Sequence, residues 1–309
     1  MVSNTLTKRD LLTLRQLLDK DWINKTGDKP ETLSRFRITM DNDYLAPNGT
    51  IIKKQHLEAD FRRQLQQPLT RWSIGLLYIW EKIRFSAQDK NKVAEPIFWG
   101  FAEGLQFEYY RTFSFPIASE SEIILSQNDS VDYQIGNWYE SLVTTPAVNL
   151  LYMLTWDVIM FEEYNSSISL SADKMRRIGS VAVLDIISGS NVQLTFKGCS
   201  AEDSFFKNGR LFVRFLGFGM VADRCAAIYE YRSIGRLNVR MNNNEVTATQ
   251  KGESFFTGKV CVDVISGDYL FADMIELLTV TISNRQGKII PMQKRRIVQV
   301  QKNEETGEE

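Results

Sequence analysis

The chain holds one histidine, His56, and three cysteines, Cys199, Cys225 and Cys261, in 309 residues. A single imidazole excludes a zinc finger, a His-rich metal site and any catalytic set that needs a second histidine. Three widely spaced thiols without a CxxC pair exclude a disulfide-stapled scaffold and suit reduced, buried cysteines. An excess of one charge is missing too: 37 Lys and Arg stand against 38 Asp and Glu, which argues against a charge-driven nucleic-acid binder for the whole chain. No GxxxxGK[ST], HExxH, GxSxG or EF-hand spacing occurs. Residues 1–10 are not followed by an apolar run of leader type, so no secretory leader is expected. The best spanning candidate, 142–161, is broken by Pro146, Asn149 and Asp157, and reads as a buried helix with no membrane contact. What the chain does have is 43% hydrophobic residues, enough for a sizeable core.

These residues are unevenly spread. All six tryptophans and six of the seven prolines precede residue 165, whereas twelve of the 18 glycines follow residue 170. The change falls on the Ser-rich stretch 165–171. Residues 1–170 carry a net charge of −4 and residues 171–302 a net of +7, before an acidic end with four glutamates. The expected organisation is therefore a mainly helical domain over 1–165, a β domain over 174–302 and a solvated tail over 303–309.

The first half is read as helical from apolar residues at i, i+3 and i+4. Leu11, Leu14, Leu18 and Trp22 form one such stripe. Helices are also expected at 56–66, from about Leu69 through Trp72, Leu76, Ile79, Trp80 and Ile83, and over 92–112. A short hairpin is expected near 36–54, about Ala46-Pro47-Asn48-Gly49. Over 133–164 two helical pieces are expected, divided at Pro146, the second with Leu150, Leu151, Leu154, Val158 and Phe161 on one stripe and a central position. The second half reads as about eight short strands with turns every 8–12 residues, one of them a hairpin at Lys207-Asn208-Gly209-Arg210. The expected fold class is α+β: a mostly helical N-terminal region followed by an antiparallel β-sandwich, jelly-roll-like or barrel.

Chemistry is sparse. His56 and Asp60 would share a helix face, but no second histidine completes a site. Glu103 and Glu108, amid aromatics, and Asp157, in an apolar helix, are weak catalytic candidates; paired carboxylates hydrolyse glycosides or hold Mg²⁺. Asp157 buried against an arginine such as Arg111 is the plainer alternative. Gly217-Phe218-Gly219 opens no helix, so it is a bulge or bend and not a phosphate loop. Arg236 and Arg240 alternate on one strand face, and Lys294, Arg295 and Arg296 lie near the last strand; these five are the candidate interaction residues.

The sequence therefore leads to a non-enzymatic structural or assembly protein, self-associating or bound to another protein, in a cytoplasmic or reducing setting and without a cofactor. Opposite charge on the two halves suits head-to-tail contacts. Some viral shell and phage structural proteins combine a helical base with a β-sandwich, a likeness of architecture alone. Two alternatives stand beside it: a binding or regulatory module meeting nucleic acid or protein through the basic half, and a carboxylate- or Mg-dependent hydrolase.

Overall fold

A period of two runs through most of the described residues. In the computed structural model of the protein, the residues described are 33–66, 73–89, 92–93, 96–98, 103–112, 120–127, 130–132, 145–171, 174–175, 177–184, 191–194, 200, 202–242, 247–284 and 287–303. Before the helix come β1 (Leu33–Leu45), β2 (Ile51–Gln66), β3 (Ser73–Asp89), β4 (Lys92–Val93), β5 (Ile97–Phe98), β6 (Gln106–Thr112), β7 (Glu120–Gln127) and β8 (Ser130–Asp132). Helix α1 spans Thr145–Leu170. After it come β9 (Val181–Leu184), β10 (Asn191–Gln193), β11 (Phe205–Lys207), β12 (Leu211–Val221), β13 (Arg224–Asn242), β14 (Thr247–Asp263), β15 (Tyr269–Asn284) and β16 (Ile289–Asn303).

All these strands belong to one antiparallel sheet, ordered β10-β11-β13-β14-β15-β16-β1-β2-β3-β6-β7-β8, with β12 and β9 continuing one side and β4 and β5 lying on β3. Strands make up 72% of the described residues, which overturns the α+β expectation of a helical first half. The helices expected at 56–66, from Leu69 and over 92–112 are replaced by β2, β3 and β4 to β6. The strands of the second half form no sandwich of their own: β16 pairs with β1 along residues 293–303 and 35–45, so both halves share one open sheet. The turn between β1 and β2 falls at residues 46–50, and both strands run beyond the short hairpin expected there. The stripe expected at 11–22 lies outside the described residues.

Asn208-Gly209 closes no hairpin either. Strands β11 and β12 both pair with β13, at Arg236–Asn238 and at Arg224–Arg232, so they form one edge interrupted at residues 208–210. A Cβ on Gly209 would fall on the Ile234 carbonyl, so only glycine lets the two backbones pass there. Gly217 takes φ of +123° beside the register shift after Phe215, which gives the Gly217-Phe218-Gly219 stretch its bulge.

Helix α1 sits inside the curl of this sheet. Pro146 occupies its first turn, where a missing N–H is tolerated. Leu150, Leu151, Leu154, Val158, Phe161 and Ile168 are all buried, as befits a helix surrounded by core. Tyr164 packs on Tyr231 of β13, with ring centroids 4.6 Å apart, while the adjacent Glu163 accepts a hydrogen bond from Tyr109 of β6. Strands β13 and β6 are seven positions apart in the sheet, about 34 Å if it were flat, against about 10–12 Å for a helix with its side chains. The sheet must therefore wrap the helix. Its concave lining is a cross-strand aromatic ladder: Phe36 stacks on Phe61, Phe61 meets Trp80 edge-on, and Tyr78 stacks on Phe107 at 4.5 Å. Ion pairs such as Arg37–Asp60 at 2.9 Å, Arg62–Glu81 at 2.7 Å and Arg214–Glu230 at 2.6 Å occupy the outer face.

Two buried arginines hold the helix in place. Arg63 of β2 reaches Glu162 at 2.9 Å and Asp268 at 2.7 Å. Arg296 of β16 grips Asp157 with Nη1 at 2.7 and 2.6 Å from the two carboxylate oxygens. Asp157 and Glu162 are five positions apart, roughly 140° around a helix, so the two anchors face different parts of the curled sheet.

Candidate functional site

Between α1 and strands β13 to β16 lies a cavity of about 360 Å³. Its register explains its floor. Arg296 and Glu276 are direct cross-strand partners on β16 and β15. Lys294, two residues back on the same face, stands opposite Leu278 on one side and Tyr44 of β1 on the other. Met153, Trp156, Asp157, Met160 and Tyr164 descend from the helix, and Leu237, Val239 and Met241 rise from β13. Four methionines on the wall, Met153, Met160, Met241 and Met292, give it a soft and adaptable surface.

The floor charges are buried and only partly paired. Arg296 lies between Asp157 and Glu276, with Nε 2.6 Å from Glu276 Oε2; Glu276 Oε1 accepts from the Ser254 hydroxyl at 2.5 Å. Burial pushes the Asp157 carboxyl up to about 6, against the opposing pull of Arg296. Burial acts upward on Glu276 as well, but Arg296 and Lys294 outweigh it and hold that carboxyl below its ordinary value. Lys294 is 8% exposed, and no oxygen of the described residues lies in hydrogen-bonding reach of its ammonium. Its neighbours are the Met153 sulfur at 4.0 Å and the face of the Tyr44 ring, 5.4 Å to the centroid. Burial first, and repulsion by Arg296 second, lower its pKa to about 8. Asn42, opposite Arg296 on β1, is fully buried with neither amide atom placed on a partner among the described residues.

Three residues singled out in the sequence converge here: Asp157, Lys294 and Arg296. Asp157 does meet an arginine, Arg296; the expected Arg111 has its side chain outside the described residues. The run Lys294-Arg295-Arg296 is split by strand alternation, and Arg295 turns outward onto Asp43, Nε to Oδ2 3.1 Å. Arg236 lies 3.8 Å from Glu253 and Arg240 2.7 Å from Asp203, both on exposed surface. Glu103 sits in the exposed turn before β6, and Glu108 is half-buried within it. His56 is on β2, not a helix, and its Nδ1 lies 2.7 Å from Asp41 Oδ1, while Asp60 takes Arg37. Sequence reasoning missed Tyr44 and Glu276; the available signal was the period-two alternation that faces them towards Lys294 and Arg296. Among the described residues no group of three or more His, Cys, Asp or Glu is placed to hold a metal, and no helix is long and apolar enough to cross a membrane.

No family model matches the chain, and no curated protein does. Among solved structures, a protein of YmcC-like fold from Bacteroides fragilis is similar at 11% identity and a TM-score of 0.21, over 90% of this chain and 96% of that one. The outer membrane protein opdK from Pseudomonas aeruginosa is similar at 7% identity and a TM-score of 0.17, over 89% of this chain and 99% of that one. Neither likeness is close enough to carry a shared fold or function.

A buried ammonium without an oxygen partner opposes folding. Lys294→Met keeps the bulk and removes the charge, so it should stabilise the protein by about 1–3 kcal/mol in urea unfolding at pH 7. The sign follows from a folded-state pKa of about 8 against an ordinary 10.5: the penalty is full below pH 8 and fades as pH rises towards 10.5. The difference between the two proteins should shrink over that window; a loss of stability in the variant would refute this reading of Lys294.

Proposed function

We propose that the protein is a non-enzymatic binding protein that holds an apolar small molecule in the cavity between α1 and the sheet. One observation carries this reading. The cavity, about 360 Å³, has the volume of ligand pockets, apolar and aromatic walls, and a few polar groups gathered at one place. A buried lysine kept there at a cost to folding supports it, because an apolar residue would pack better. The arrangement supports catalysis less, since Asp157 and Glu276 are both committed to Arg296. It also lends little to phosphate recognition, because Arg236, Arg240 and Arg295 each face a carboxylate. The reducing, cytoplasmic setting belongs to this proposal too, supported by the buried thiol of Cys261.

Nile red, a neutral apolar dye, tests the pocket directly. It should bind saturably with one site and a blue-shifted emission. Leu278→Trp places an indole in the cavity and should abolish binding. Thr279→Trp, on the outward face of the same strand, should leave binding intact. Equal binding by both variants would refute a pocket at this position.

Self-association is a second reading, supported by an apolar row on the outer face. Ile234, Phe255 and Leu277 are cross-strand neighbours on β13, β14 and β15, with 56%, 38% and 48% of their surface exposed. A second copy of the chain is the occupant proposed for it. Light scattering at tens of micromolar should give a dimer or larger, and Phe255→Arg should return it to monomer. A wild-type monomer under those conditions would end this reading.

A further inference from the structure

We infer that the ligand of the cavity is electrically neutral and carries an oxygen acceptor, such as an ester or ketone carbonyl, that takes a hydrogen bond from the Lys294 ammonium. The inference rests on the cavity being a binding site and adds the chemistry of the ligand's head. Lys294 brings three N–H donors, and among the described residues the contacts placed at them are a thioether and an aromatic face. The neighbouring carboxylates are directed to other donors. Both oxygens of Asp157 lie on Arg296 Nη1, Glu276 Oε2 lies on Arg296 Nε, and Glu276 Oε1 holds the Ser254 hydroxyl. The carboxylate oxygens at the floor are thus each engaged by Arg296 or Ser254, and the lysine donors are left open to the cavity.

Charge decides between a neutral head and an anionic one. Two cations, Lys294 and Arg296, already face two carboxylates, Asp157 and Glu276. Glu163, on the same wall, is a further acidic group and accepts from Tyr109. A carboxylate ligand would meet one ammonium, but would also bury an unmatched negative charge beside these three acidic groups. A neutral carbonyl satisfies a lysine donor and leaves the balance unchanged. An alkane fills the walls and leaves the ammonium as it was.

Displacement of Nile red by three ligands of matched length tests this: methyl decanoate, decanoate and undecane. Methyl decanoate should bind about tenfold to a hundredfold more tightly than undecane, the increment of one hydrogen bond from a charged donor. Decanoate should bind more weakly than its ester at pH 7. Lys294→Met should still bind Nile red and undecane, with the preference for the ester over undecane erased. Decanoate binding more tightly than the ester would overturn the inference, as would an ester preference that survives in Lys294→Met. Failure of Nile red to bind wild type at all would instead overturn the cavity reading on which this rests, so the two failures are told apart.

Discussion

The guanidinium of Arg296 is the point on which the molecule turns. Asp157 lies within an apolar stretch of the helix, and Glu276 faces inward from a strand; neither carboxylate could be buried alone. Arg296 meets both at 2.6–2.7 Å. It thereby fixes the rotation of α1 against β15 and β16, and the wrapped sheet follows from having a helix at its centre. The same contact builds the floor of the cavity. Arg296 and Ser254 engage the carboxylates, and Lys294, two residues back on the same strand face, is left without an oxygen partner among the described residues.

A buried pair of this kind is weak evidence of stability, since apolar residues of similar volume often serve as well or better. Its value lies in specificity. An apolar helix could rotate or slide within an apolar trough with little change in burial. Asp157 and Glu162, on different sides of α1 and each tied to its own arginine, single out one orientation. The aromatic ladder from Tyr269 through Phe36, Phe61, Trp80 and Phe107 supplies burial, while the ion pairs set the register.

The sequence disclosed the helix and misled about the strands before it, for a reason visible in β3. Leu76, Tyr78 and Trp80 alternate inward, and then the register shifts opposite Asp60 and Phe61, so the next inward residue is Ile83. That irregularity turned a period of two into spacings of four and three, which match one face of a helix. In β2 the inward set is Leu57, Ala59, Phe61 and Arg63. The arginine broke the apolar alternation and left Leu57 and Phe61 four apart, again a helical spacing. The partner of Arg63, Glu162, lies 99 residues away, and nothing local announces it. The site was half legible. Asp157 stood out as a charge in an apolar helix, and Lys294 and Arg296 as part of a basic run. Only the pairing of β16 with β1 and β15 shows that 294 and 296 face inward while 295 faces out.

Asp157 and Arg296, 139 residues apart in the chain, couple α1 to β16. A double-mutant cycle of Asp157→Asn and Arg296→Met, read by urea unfolding, measures this coupling directly. Each single change should destabilise strongly by leaving a buried charge with too few partners. The double change should restore much of the loss, a coupling of about 2 kcal/mol or more. Effects that simply add, to within about 0.5 kcal/mol, would mean that the two residues do not act as one contact, and would contradict the claim that this pair sets the helix in its sheet.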